Sequence, residues 1–257
     1  MRTIAVPFGS YRASHVIERD VLVYRRTWLV IVSGFFEPLF YLLGIGFGLG
    51  ALIGTIDGVP YAVFVAPALL AVSAMNGAIY DSTFNMFYKL KYAKTYDAML
   101  ATPLGVGDVA LGEVTWALTR GAIYAVGFMV AMLILGLVRT PWALMAVPAS
   151  LLIGFAAAGV GTAATTFVRK WQDFDLVFVI TLPLFLFSAT FFPITTYPEP
   201  LRTIVELTPL YRGVHLLRGL ATAQIEPMLL ADVAYLVIFG AIGVSITSRR
   251  LGKLLLK

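Results

Sequence analysis

Six apolar runs, each long enough to cross a bilayer, divide this chain and leave a bundle of membrane helices as its fold. They cover roughly Thr27–Ile53, Tyr61–Ile79, Val114–Leu137, Trp142–Phe167, Leu176–Phe192 and Met228–Thr247. A hydrocarbon core ~30 Å thick takes about 20 helical residues at 1.5 Å each. With 60% hydrophobic and 13% charged residues, the chain lies far below the roughly 25% charge of a soluble domain. The expectation is one all-α integral membrane domain over residues 1–257, with six transmembrane helices. Three pieces do not span: an N-terminal interfacial helix within 1–26, a segment at 80–113, and a mixed, Pro-rich segment at 193–227.

Charge fixes the orientation. Five Lys or Arg fall in 1–26, three in 81–113, two in 168–173 and four in 248–257, so 14 of the 19 lie on one side. The other side holds four: Arg139, Arg202, Arg212 and Arg218. Positive residues stay inside, which puts both termini in the cytoplasm. The three outer Arg of 193–227 fit short helices folded back into the outer interface, where Arg can snorkel. The net charge of +5 flanks apolar runs and does not indicate nucleic acid. The N-terminus has no apolar h-region, so the first span is expected to act as its own insertion signal.

Catalytic chemistry is nearly absent from the pattern. There is no Cys, hence no disulfide or thiolate site, and no GxxxxGK[ST] phosphate loop. His15 and His215 stand alone in sequence, without metal-ligand spacing, so neither a metal site nor a catalytic residue is expected. Ionisable residues inside spans are more informative, since each costs on the order of 3 kcal/mol in hydrocarbon. Glu37, about ten residues into the first span, reads either as a polar point on a transport path, with Phe36, Phe40 and Phe187, or as a helix–helix contact beside a Pro38 kink. Glu113 and Arg120 are seven residues apart on one face of the third span and are candidates for an intramembrane ion pair. Asp232 reads as interfacial. Gly44, Gly46, Gly48 and Gly50 form small-xxx-small pairs that let helix backbones approach, between subunits or within one.

Residues 81–113 are the polar interruption. Phe84, Tyr88, Tyr92, Tyr96 and Leu100 recur at i+4, and Pro103 ends the helical tendency at Thr102. At residues 10–26 the apolar Ala13, Val16, Ile17, Val21 and Tyr24 sit apart from Arg12, Arg19 and Arg26, as in a helix lying in the interface.

The N-terminal interfacial helix, the two-plus-four arrangement of spans, the text KTYDAMLATPL…GEVTWALTR and above all TPLYRGVHLLRGL before the last span resemble the membrane subunit of type-2 ABC exporters, the family of nodulation-factor and daunorubicin permeases. The resemblance implies a half-transporter with no ATP site of its own. Its partners would be two P-loop ATPase subunits that bind ATP and Mg, a second copy or paralogous permease, and membrane lipids. It implies a coupling helix over Lys91–Leu104, carried by Lys91, Lys94, Tyr96, Asp97, Met99, Leu100, Pro103 and Leu104, flanked by Arg12, Arg19, Arg25 and Arg26. It also implies an outer gate segment with Pro193, Pro209, Tyr211, Arg212 and Arg218, and dimer contacts through spans one and five. The cargo would be amphipathic or lipid-like: a drug, glycolipid or lipid-linked saccharide. The rival reading from the residues is a proton-coupled transporter using Glu37.

Overall fold

The computed structural model describes residues 12–26, 36–56 and 58–255. Residues 27–35, where the first span is expected to begin, and the last two residues lie outside the described part. Among the described residues the regular structure is helical apart from a β-hairpin of two-residue strands, β1 Thr55–Ile56 with β2 Val59–Pro60, which turns the chain between the first two spans. The helices are α1 Ala13–Arg26, α2 Phe36–Ile53, α3 Tyr61–Lys91, α4 Thr95–Leu100, α5 Val106–Ile134 and α6 Pro141–Thr165. They continue as α7 Asp175–Phe187, α8 Glu199–Glu206, α9 Pro209–Thr222 and α10 Met228–Leu255.

Five of these, α2, α3, α5, α6 and α10, are long and apolar enough to cross a membrane. Helix α3 is the central post, packed by α5, α6 and α9, and its Ala-rich face supplies much of the core. Helices α6 and α10 lie nearly backbone to backbone. A methyl group on Gly159 would stand 2.5 Å from the Gly240 carbonyl oxygen, so only glycine fits there.

The stretch expected as a fifth full span differs. Helix α7 has 13 residues, about 20 Å, and stops where Ala189 turns left-handed (φ 55°). The chain around it still runs the length of the bundle. Phe174, just before α7, packs on Phe84 near the lower end of α3, with ring centroids 4.6 Å apart. Ala189, just after it, shares the Arg218 side chain with Phe64 near the upper end.

Spans two and three also run further than their hydropathy suggests. Helix α3 continues past Ile79 through a π-helical turn, Asp81–Asn85, and reaches Lys91; α5 begins at Val106, eight residues before the expected Val114. The π turn loosens backbone pairing, and side chains repair it. Ser82 and Thr83 donate to the Ile79 carbonyl, and Thr165 of α6 donates to the Ser82 carbonyl at 2.9 Å.

Candidate functional site

At the end of the bundle where α1 lies, three helices, α1, α3 and α5, meet around two buried ionic clusters. In the first, Lys89 at the foot of α3 donates to Asp20 of α1 (3.0 and 3.1 Å) and to Glu113 of α5 (2.9 Å to each oxygen). One ammonium thus serves two carboxylates, and Arg19 adds a second cation to Asp20 at 2.8 Å. In the second, the π turn aims Asp81 at Arg120 (3.1 Å), at the Tyr24 hydroxyl (2.9 Å) and at Asn85 (2.7 Å). Arg120 is also bonded to Tyr124 at 3.0 Å. Burial, and then the Asp81 carboxylate, push the Tyr24 hydroxyl well above its ordinary range, so it stays a donor.

Glu113 and Arg120 are therefore both paired, but not to each other. Seven residues separate them by about 10 Å along the helix, and each reaches a different partner on α3. The partners Lys89 and Asp81 sit in the stretch that hydropathy reads as a loop. The helix extension beyond Ile79 is what brings them into the bundle.

The short helix α4 hangs from this assembly. The Tyr row does not continue along one helix, because the chain breaks at Tyr92–Lys94, with Lys94 left-handed (φ 48°). Tyr96 is fully buried and Met99 nearly so, among Val16, Met86, Val109 and Leu251. Burial, and next the Glu113 charge, raise the Tyr96 hydroxyl. Its side chain faces the interior and is not available on the surface, whereas Lys91, Lys94, Asp97 and Pro103 are exposed and Leu100 and Leu104 half-buried. Arg12 donates to the Pro103 carbonyl at 2.8 Å, tying the start of α1 to the end of this loop. Gly112 lets α1 sit directly on α5, since a methyl there would meet Val16 at 2.6 Å. Arg25 and Arg26 are exposed at the end of α1.

At the opposite end of the bundle, α9 packs against α3, α6 and α10. Asp232 of α10 is fully buried within the bundle, accepts from Arg212 (3.2 Å) and pairs with His215 (2.6 Å). Sequence separation alone hid this His–carboxylate pair. Arg218 donates to the Ala189 and Phe64 carbonyls (2.9 and 3.4 Å), with its guanidinium 3.8 Å from the Phe64 ring centre. Tyr211 and Pro193 join His215 and Arg218 around a cavity of about 320 Å³ at this end, lined by both polar and apolar groups. Pro209 opens α9, where Thr208 caps it by accepting from the Tyr211 N–H.

The α2–α7 flank is different in kind. Phe36, Phe40 and Phe187 are exposed, and Tyr41 meets Phe185 at 5.2 Å. Glu37 is exposed too. The four glycines divide. Gly46 and Gly50 face Ala62 and Tyr61 of α3, while methyl groups on Gly44 and Gly48 would meet nothing within 4 Å among the described residues. Among the described residues no cluster of His, Asp or Glu could hold a metal ion.

These features coincide with what the chain resembles. Residues 12–221 match the family model described as ABC-2 type transporter. The nodulation protein J of Rhizobium leguminosarum bv. trifolii is 33% identical over 218 residues, 83% of this chain and 82% of the relative. That of Neorhizobium galegae is 28% identical over 259 residues, 97% of each chain. The inner membrane transport permease YadH of Escherichia coli K12 is 25% identical over 199 residues, 75% of each. A bundle with five helices long and apolar enough to cross a membrane, and a match over most of its length, place this chain in the ABC-2 type transporter family.

Proposed function

We propose that this permease is the membrane half of an ATP-driven exporter in the bacterial cytoplasmic membrane, with both termini cytoplasmic. Two separate P-loop ATPases, binding ATP and Mg, would power it, and a second copy or a paralogous permease would complete it. The cargo is amphipathic or lipid-like: a drug, glycolipid or lipid-linked saccharide.

The carrying observation is the mounting of α4. Its inner side is locked by Tyr96 and Met99 into the bundle, and its outer side presents Lys94, Asp97 and Pro103 to the surroundings. A piece so held transmits force, while a piece so exposed can receive it. In this reading Asp97 and Pro103 touch the ATPase, and Tyr96 passes the displacement to Glu113, Lys89 and Asp20. Work is transferred only if α4 makes different contacts in the two nucleotide states. The α2–α7 flank, apolar and unfilled at Gly44 and Gly48, suits the second permease.

The test is purification from detergent followed by an ATPase assay on what accompanies the protein. A stoichiometric P-loop ATPase, lost on Asp97→Arg while the permease stays folded, supports the reading. A pure permease that moves cargo in vesicles without any ATPase, and loses proton dependence on Glu37→Gln, would replace it with the proton-coupled alternative.

A further inference from the structure

Of the thirteen residues of α7 only Phe185 is buried, yet the helix does not lie flat on its neighbours. Behind its middle is a cleft of about 130 Å³, bounded by α3, α6 and α7. Small residues of α6, namely Ala156, Ala157 and Gly161, keep its back wall low, while Val177, Ile180 and Leu184 of α7 form the front. The cleft opens sideways past Val160 and Ile180, which are 41% and 61% exposed.

Its depth is informative. Along α3 it runs from Thr83 to Met75, and along α6 from Ala164 to Ile153. Eight and eleven residues of helix are about 12 and 16 Å, or half of a ~30 Å hydrocarbon core. Pro209 and Leu210, the deep end of α9, close the top. The slot is thus one leaflet deep, and the charge distribution assigns that leaflet to the cytoplasmic side. Just below it the chain leaves α6 through the exposed Arg169 and Lys170.

Its chemistry is equally narrow. Hydroxyls reach the wall only at Thr83 and Thr181, and the Thr83 hydroxyl already donates to the Ile79 carbonyl at 2.6 Å. A dry apolar space does not hold water. A helix about 10 Å across is too thick for it. A single hydrocarbon chain is not.

We infer that this cleft takes the hydrocarbon chain of a transported amphiphile from the cytoplasmic leaflet, with the head group held near Arg169 and Lys170 and the chain end stopped under Pro209. The role as a loading site rests on the export reading; the binding itself does not.

The probe is lysophosphatidylglycerol carrying a diazirine in its acyl chain, photolysed with the full-length protein in detergent and mapped by mass spectrometry. Adducts are expected within 153–164 and 177–184, suppressed by excess unlabelled lysolipid. Ala157→Trp fills the slot and should cut these adducts roughly tenfold, leaving those at the outward Val130 and Ile134 of α5 unchanged. Should that variant fail to fold, Val160→Trp at the exposed mouth replaces it. Adducts spread evenly over all outward apolar positions, or unaltered by the Trp variants, overturn the proposal. So does a co-purifying lipid that excess lysolipid cannot displace, because that is a resident lipid and not cargo. Labelling without a companion ATPase would sink the export reading alone, and a companion ATPase without labelling would sink this site alone.

Discussion

Helices α2 and α3 are neighbours in sequence and alike in composition, yet they occupy opposite surroundings. Over an apolar 18-residue window, 89% of α3 is buried in the bundle and 17% of α2. Hydropathy cannot separate them, because lipid tails are as apolar as the bundle interior. Shape and polar pairing decide. Helix α3 carries small residues on several sides and ends in Asp81 and Lys89, which find partners on α1 and α5. Helix α2 has one packed edge, with Pro38, Leu42, Gly46 and Gly50, and turns most of its other described residues outward. One helix is enclosed by its own chain; the other keeps most of its described surface outside the bundle.

Removing the charge at the foot of α3 tests this contrast most severely. Lys89→Met would leave Asp20 and Glu113 buried without their shared cation, at a cost of about 3–5 kcal/mol. Thermal unfolding in detergent should show it as a large loss, or as failure to accumulate folded protein. Phe40→Ala on the α2 flank, 64% exposed, should stay within about 0.5 kcal/mol. Equal effects from the two variants would erase the distinction between enclosed and outward faces.

Close packing comes next. At Gly159 the obstruction is backbone, which cannot rotate away, so Gly159→Val should destabilise by about 1–3 kcal/mol in the same assay. Gly48→Ala has open space and should be nearly silent. Smaller still on stability is Asp97→Ala, within about 0.5 kcal/mol for an exposed residue. Its expected signature is lost ATPase retention with an unchanged melting curve, whereas Tyr96→Ala should lower the melting curve as well, since that ring is buried.

The bundle was legible from the sequence because lipid imposes one rule on every span, about 20 apolar residues in a helix. The clamp was less so. Glu113 and Arg120 stood out as costly intramembrane charges, but their partners did not, since a π turn and two extra helical turns carry Asp81 and Lys89 into the bundle from a stretch whose polarity reads as loop. Tyr96 and Asp97 are adjacent in sequence and looked equivalent as surface contacts. On a helix they point about 100° apart, and one is buried while the other is exposed. Asp232 with His215 was invisible because 17 residues and a helix turn-back separate them. The unpaired-looking glycines were legible as a packing motif but not as two motifs facing opposite ways.

That division gives the finest test of the comparison. If the flank is an interface with a second permease, Gly44→Leu and Gly48→Leu fill a surface that the isolated chain leaves empty. Folding should not register them, because among the described residues no side chain and no other element lies within 4 Å of either new methyl. Association should, because close backbone approach is what small-xxx-small faces permit. Chemical cross-linking in native membranes should therefore show the dimer band weakened with an unchanged melting curve. The reciprocal change, Gly46→Leu, pushes against Ala62 and Leu42 and should lower stability in the monomer first. A result in which all three variants melt alike and cross-link alike would mean that the outward glycines meet only lipid, and that α2 is completed by the bilayer.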